Sequence, residues 1–92
     1  MENTFRVQLI EGSFSQEEAR EVLSGLLTYK INFHELKNFS HQERQGREHA
    51  ASLQRAGALK ADKALLSSWL RGIEAGKTIR LESVIHLCVE EP

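Results

Sequence analysis

Apolar and polar residues alternate near both ends of the chain, a pattern typical of half-buried β-strands. Near the N-terminus, Phe5, Val7 and Leu9 alternate with polar residues until the Glu-Gly-Ser run at 11–13 interrupts the pattern. Near the C-terminus, residues 78–89 place five apolar residues on one face: Ile79, Leu81, Ile85, Leu87 and Val89. Two strands alone are marginally stable. We therefore expect the terminal strands to pair at the centre of a small sheet that helices cover.

A helix is predicted directly after the first strand. Ser15 and Glu18 have the spacing of a capping box, in which each side chain bonds the backbone N–H of the other residue. The residues that follow form an apolar stripe with helical spacing, typical of a helix facing a core: Ala19, Val22, Leu23, Leu26 and Leu27.

Residues 30–39 fit no single period. Ile31 and Phe33 alternate as in a strand, whereas Leu36 and Phe39 match neither a strand nor a helix. The pattern favours a short strand or an extended connection, and residues 31–35 are the candidate for a third strand.

Helical composition returns at Ser40, which forms a second capping-box pattern with Glu43, and runs to about Ala75. A straight helix of that length would span about 54 Å. A compact domain of this chain length has a diameter of only about 30 Å. The region therefore either breaks, with Gly57 ending one helix and Asp62 capping the next, or projects from the body as one helix.

The second half of this region predicts a helix with a buried apolar face that includes the only tryptophan: Leu65, Leu66, Trp69, Leu70 and Ile73. Together these patterns predict one α+β domain over residues 1–92. Its two terminal strands pair in a small sheet, which packs against two or three helices.

Cysteine usage and hydropathy favour a cytoplasmic protein. Cys88 is the only cysteine, so no disulfide can form within the chain. Its place between Leu87 and Val89 in a strand predicts a buried or half-buried structural thiol. Residues 1–5 lack the character of a signal peptide, and no apolar run is long enough to span a membrane.

One stretch of sequence resembles a known group of proteins. Residues 31–40 read INFHELKNFS, and Gln42, Glu43, Arg44 and Gly46 follow them. Together with residues 9–15 and the terminal strand, this run is similar to a group of small bacterial proteins to which no activity is assigned. The resemblance implies a bacterial single-domain protein and carries no catalytic role to any position.

The sequence contains no recognisable catalytic motif, phosphate-binding loop or metal-ligand signature, so a non-enzymatic protein without a cofactor is favoured. A helix starting at Ser40 would place His41, Glu48 and His49 along one side. Because no short zinc signature accompanies them, the interpretation is a solvated polar face and not a metal site.

The helix expected after Ser40 carries a narrow stripe of small residues: Gly46, Ala50, Leu53 and Gly57. Small side chains let a second backbone approach closely. One hypothesis is that this stripe contacts another chain, either a second copy or a different protein. The alternative is that the helix packs with its edge against its own domain. The leading functional interpretation is an interaction or regulatory module that associates with itself or another protein.

Nucleic-acid binding is the alternative function. Residues 28–80 carry ten basic and five acidic side chains, whereas both ends of the chain are acidic. The basic residues that would contact phosphates are Arg44, Arg47, Arg55, Lys60 and Lys63. Glu43 with Arg47, and Arg44 with Glu48, have the four-residue spacing of helical ion pairs, which would weaken the local positive potential.

Overall fold

Four elements follow one another in the computed structural model, which describes residues 3–91. They are β1 (Thr4–Ser15), α1 (Gln16–Gln45), α2 (Ala50–Arg71) and β2 (Thr78–Cys88). The strands pair antiparallel in a two-stranded sheet, and the helices form an antiparallel hairpin beside it. The α+β prediction and the pairing of the terminal strands are confirmed. Met1, Glu2 and Pro92, which the single-domain prediction includes, lie outside the described residues.

The two strands form an amphipathic ribbon whose apolar side chains share one face. Phe5 lies opposite Leu87, and Phe14 lies opposite Ile79. A β-bulge between Gln8 and Ile10 adds one residue to β1. Because side chains alternate between faces, this extra residue keeps Phe14 on the same face as Phe5. The Glu-Gly-Ser run at 11–13, which predicted the end of the first strand, lies within β1 and pairs with β2.

A small core joins the ribbon to the helices. Its buried members are Ala19 of α1, Leu70 of α2 and Ile79 of β2, with Phe14 packed against them. The side chain of Gln16 donates hydrogen bonds to the backbone carbonyls of Leu70 and Ile73, so the start of α1 is tied to the end of α2. We call these contacts the junction, and they join the two-stranded ribbon to the helical hairpin.

The capping box predicted at Ser15 is confirmed. The Ser15 hydroxyl accepts from the Glu18 amide at 3.0 Å, and the Ser15 amide donates to the Glu18 carboxylate at 2.9 Å. The Ser15 amide and, to a smaller extent, the Ser15 side chain lower the pKa of Glu18, because hydrogen-bond donors stabilise the charged carboxylate. The helix that begins here continues for 30 residues.

The turn between the helices lies at residues 46–49, so the helices begin and end at other residues than the sequence predicts. Gly46 ends α1 in the left-handed conformation, with φ of 71°, and its N–H bonds the carbonyl of Gln42. His49 caps α2, because its Nδ1 accepts from the Ser52 amide at 3.2 Å. Asn38, which is buried, accepts from the His49 amide at 2.6 Å and fixes the turn against α1.

The strand candidate at residues 31–35 is therefore wrong, because these residues lie in the middle of α1, where Ile31 is buried. Ser40 lies inside α1 and starts no helix. Gly57 and Asp62 likewise lie inside α2 and neither breaks nor caps a helix. The helical region predicted for residues 40–75 is divided between the end of α1, at Gln45, and α2, over Ala50–Arg71. The break comes at Gly46 because that glycine adopts the left-handed conformation.

The chain forms one thin layer. Its extents are 51 × 38 × 14 Å, and its radius of gyration is 16.9 Å, whereas a compact chain of this length has a radius of gyration of about 12 Å. Among the described residues, the buried hydrophobic side chains are few: Ala19, Ile31, Ala56, Leu59, Leu70 and Ile79. Trp69, predicted to lie on a buried face, is 62% exposed because its neighbour Leu70 points into the core.

We expect Ser15→Ala to lower the free energy of unfolding by about 1 kcal/mol, because it removes a helix N-cap. Glu18→Gln preserves the hydrogen-bond geometry but removes the charge. Because the folded pKa of Glu18 lies below its unfolded value, the carboxylate charge stabilises the fold near neutral pH. That stabilisation is lost as the pH falls through the folded pKa. Urea unfolding at several pH values measures both effects. An unchanged stability of Ser15→Ala would contradict the role of the cap.

The adjacent residues Trp69 and Leu70 provide a matched test of the core. Leu70→Ala should cost about 2–5 kcal/mol because it opens a cavity in the junction. Trp69→Ala should cost less than about 1 kcal/mol because the ring lies mostly in solvent. Chemical denaturation at one fixed protein concentration measures both. A larger loss for Trp69→Ala than for Leu70→Ala would show that the junction is assigned to the wrong residues.

Candidate interaction surfaces

The outer part of the ribbon exposes an apolar surface that we call the ribbon face: Phe5, Val7, Ile85 and Leu87. Phe5 is 65% and Leu87 48% exposed, although they lie on the same face as the buried Ile79. The junction covers only the end of the ribbon near Phe14 and Ile79. Hydrophobic side chains are thus aligned along one side of two strands, and no helix or strand of the described residues packs over them.

The opposite face of the ribbon is mostly polar. Arg6 lies opposite His86, and Arg80 forms exposed ion pairs with Glu82 at 3.1 Å and with Glu11 at 3.6 Å. Cys88 is exposed on this face, so the prediction of a buried or half-buried thiol is wrong. The reason is that the junction core lies at the other end of the ribbon, near Ile79, so both faces of the ribbon are exposed at Cys88.

A second apolar surface runs along α1, and we call it the outer seam: Leu26, Tyr29, Phe33 and Leu36. The side chains repeat at intervals of three, four and three residues, so they form one row on the helix. Tyr29 is 71% and Leu36 66% exposed. The row lies roughly half a turn around the helix from Ile31, which is buried against α2. The outer seam therefore points away from α2.

A row of basic residues follows one flank of the outer seam at seven-residue intervals: Lys30, Lys37 and Arg44. A shallow hollow is lined jointly by Phe33, Leu36, Lys37 and Arg44, so the apolar and basic residues share one surface. The Nζ of Lys30 lies 5.1 Å from the centroid of the Phe33 ring. We refer to these three cations as the basic row.

His34 lies on the side of the hairpin that carries several cations. Burial lowers the pKa of His34, and the positive charges of Lys30, Arg55 and Lys37 lower it further. The Nδ1 atom of His34 is buried without a hydrogen-bond partner among the described residues. The charged groups that contribute to this shift, Lys30, Arg55 and Lys37, are all cations on the same side of the hairpin as the basic row.

The small-residue stripe predicted as a contact surface does not lie on one helix. Gly46 ends α1, whereas Ala50, Leu53 and Gly57 belong to α2. These three are exposed, and a methyl group added at Gly57 would meet no other element among the described residues. The residues of α2 that are buried in the hairpin are different ones: Ser52, Ala56 and Leu59. The prediction that one helix carries all four residues is wrong because the chain turns at Gly46, and their contact with another chain stays a prediction.

The five basic residues predicted for nucleic-acid binding are dispersed. Arg44 lies in the last turn of α1, Arg47 lies in the turn between the helices, and Arg55 lies in α2. Lys60 pairs with Glu35 at 2.7 Å, and Lys63 donates to the Thr28 hydroxyl at 2.8 Å. These two lysines therefore bridge α2 to α1.

The ion pairs predicted at Glu43–Arg47 and Arg44–Glu48 also do not form on a helix. Because α1 ends at Gln45, Arg47 and Glu48 lie in the turn. None of the ion pairs found in residues 3–91 includes either residue.

The histidines of the turn serve its structure. His41 and His49 stack edge to face with ring centroids 4.9 Å apart, and His41 bonds the carbonyl of Arg47 at 2.9 Å. Within the part of the chain that the structure describes, no three His, Cys, Asp or Glu side chains are grouped to hold a metal ion. Over the same residues, neither helix has a stretch apolar and long enough to cross a lipid bilayer.

The sequence patterns do not predict the outer seam or the basic row. Phe33 and Leu36 fall in the segment that fits no single period, and Lys30 and Lys37 belong to no predicted surface. The signal that could have found them is a seven-residue repeat, in which Leu26 and Phe33, Tyr29 and Leu36, and Lys30 and Lys37 are the repeating pairs.

No family model, no curated protein and no solved structure matches this chain. The resemblance to small bacterial proteins therefore stays a prediction.

Gly57→Ala tests whether the exposed residues of α2 meet another backbone. We expect the substitution to raise the free energy of unfolding by roughly 0.5–1 kcal/mol, because alanine replaces a glycine inside an exposed helix. Thermal and urea unfolding measure the change. If a second chain packs closely on Gly57, the added methyl group would instead lower stability or change the mass of the assembly.

Proposed function

We propose that the chain is a non-enzymatic protein-interaction module that acts as a pair of identical copies. The ribbon face of each copy is covered by that of the other. The observation that supports this proposal is the large accessible surface of the single chain. The apolar character of the ribbon face indicates where that surface is covered.

The area comparison gives the expected size of the missing contact. The chain exposes 7335 Å². A compact monomer of its mass exposes about 5,400 Å². The excess of about 1,900 Å² is larger than the roughly 800 Å² that each partner buries in a stable interface of standard size. The excess exposed area is therefore large enough for a partner to cover the ribbon face with an interface of standard size.

A second copy is the partner that the ribbon face fits best. The face carries no charged residue, so two identical faces can meet without electrostatic repulsion. A two-fold axis would place the same side chains on both sides of the contact. Two such ribbons packed about 10 Å apart would form a two-layer sheet core, which a single ribbon lacks. The polar faces, with Arg80 and its carboxylate partners, would point outward to solvent.

We expect the chain to have a mass in solution of twice 10.4 kDa. Ile85→Lys should convert it to a monomer, because a charge in the centre of the contact would be buried without a partner. His86→Lys adds the same residue at the next position of β2, on the polar face, and should leave the mass unchanged. Light scattering on a sizing column measures the mass at low and high salt.

Circular dichroism of both variants controls for unfolding, since the helices and the junction core do not include residue 85. A monomeric parent chain at micromolar concentration would overturn the proposal. Equal dimerisation of the two lysine variants would show that the copies meet on another surface.

A further inference from the structure

The outer seam has the geometry of a binding site for one helix. Its four apolar residues lie in a single row that extends over residues 26–36, about 15 Å of helix. A row with alternating three- and four-residue spacing is the surface on which a second amphipathic helix packs. A shallow hollow between Tyr29, Phe33 and Leu36 offers a place for an apolar anchor side chain.

The charges beside the seam define the chemistry of that helix. The basic row is exposed, and the ion pairs found among the described residues use other side chains. From residue 22 to residue 42, the only acidic residue of α1 is Glu35, which pairs with Lys60 of α2. Within residues 3–91, Lys30, Lys37 and Arg44 therefore take part in no ion pair, and the seam is accompanied by their positive charges.

A second copy of α1 does not supply the missing negative charge. If two copies of α1 packed antiparallel through their seams, the basic rows would face each other and repel. If they packed parallel, each basic row would face the other flank of the seam, which carries Gly25, Asn32 and Phe39. Neither arrangement places a carboxylate opposite Lys30 or Lys37.

We infer that the outer seam binds an acidic amphipathic helix of a different protein. The apolar residues of that helix would pack on Tyr29, Phe33 and Leu36, and its carboxylates would pair with the basic row. The inference rests on the proposed function in treating the chain as an interaction module. The outer seam shares no residue with the ribbon face, so each surface can be tested while the other is intact.

A membrane surface is less suited to this geometry. An interfacial helix presents a broad apolar face with cations on its polar side. The outer seam is instead one residue wide, and its cations lie along one flank only. That asymmetry matches the edge of a single partner helix carrying acids on one side.

The probe for the experiment is a fluorescein-labelled helical peptide of about five turns, with leucine at three- and four-residue spacing and glutamate along one flank. The control peptide has lysine in place of each glutamate. Fluorescence anisotropy with the full chain should show binding of the acidic peptide and roughly tenfold weaker binding of the basic one. Affinity for the acidic peptide should fall as salt is raised, because the charges lie at the exposed rim of the site.

Two variants with matched charge changes locate the binding site. Lys37→Glu should weaken binding of the acidic peptide roughly fivefold, whereas Lys77→Glu, in the loop before β2, should leave it unchanged. Phe33→Asp should abolish binding while keeping helical circular dichroism and the mass of the parent chain.

Several results would overturn the inference. One is that neither peptide binds, or that both bind equally. Another is a lower mass for Phe33→Asp, which would assign the outer seam to a second copy. A third is stronger binding of phosphatidylserine vesicles, or of an oligonucleotide, that depends on Lys37. Failure of the ribbon-face proposal would leave the peptide result unaffected, because anisotropy reports the seam in a monomer or a dimer.

Discussion

The thickness of the chain constrains every other feature of the structure. A layer 14 Å thick is little more than one helix or one ribbon with its side chains. Such a layer can bury side chains only where neighbouring elements touch along their edges, at the hairpin and at the junction of Ala19, Leu70 and Ile79. Both broad faces of the layer remain in contact with water. The fold has the parts of a two-layer α+β domain, but one chain provides a single layer.

Two different amphipathic elements are left with an uncovered side for the same reason. The ribbon uses its apolar face for packing only near Phe14, and α1 uses the side that contains Ile31 for packing on α2. The ribbon face and the outer seam are the remaining apolar sides. They differ in charge, because the ribbon face is neutral whereas the outer seam is flanked by Lys30, Lys37 and Arg44. This difference is the physical basis for assigning them to different partners.

The terminal strands, their faces and the start of α1 could be predicted from the sequence because each depends on local patterns. The alternation in β2 and the capping box at Ser15 each occupy a few adjacent residues. The helical structure in the middle of α1 could not be predicted from the sequence, because two apolar rows overlap there. One row, containing Ile31, faces α2, and the other, containing Phe33 and Leu36, faces outward. Together they obscure the helical period. A compact body of this chain length also favours short helices, because a 30-residue helix such as α1 does not fit within it.

The pairing of the first and last elements has a consequence for the order in which the protein is made. Both helices separate β1 from its partner β2 in the chain, so β1 leaves the ribosome well before β2. Every contact in the sheet therefore joins residues far apart in sequence, which gives the ribbon a high contact order and makes its pairing slow. The helical hairpin, whose contacts are closer in sequence, can form first. During synthesis, Phe5 and Val7 have no strand to pair with until both helices and β2 have been translated, and an exposed hydrophobic strand of this kind is prone to aggregation.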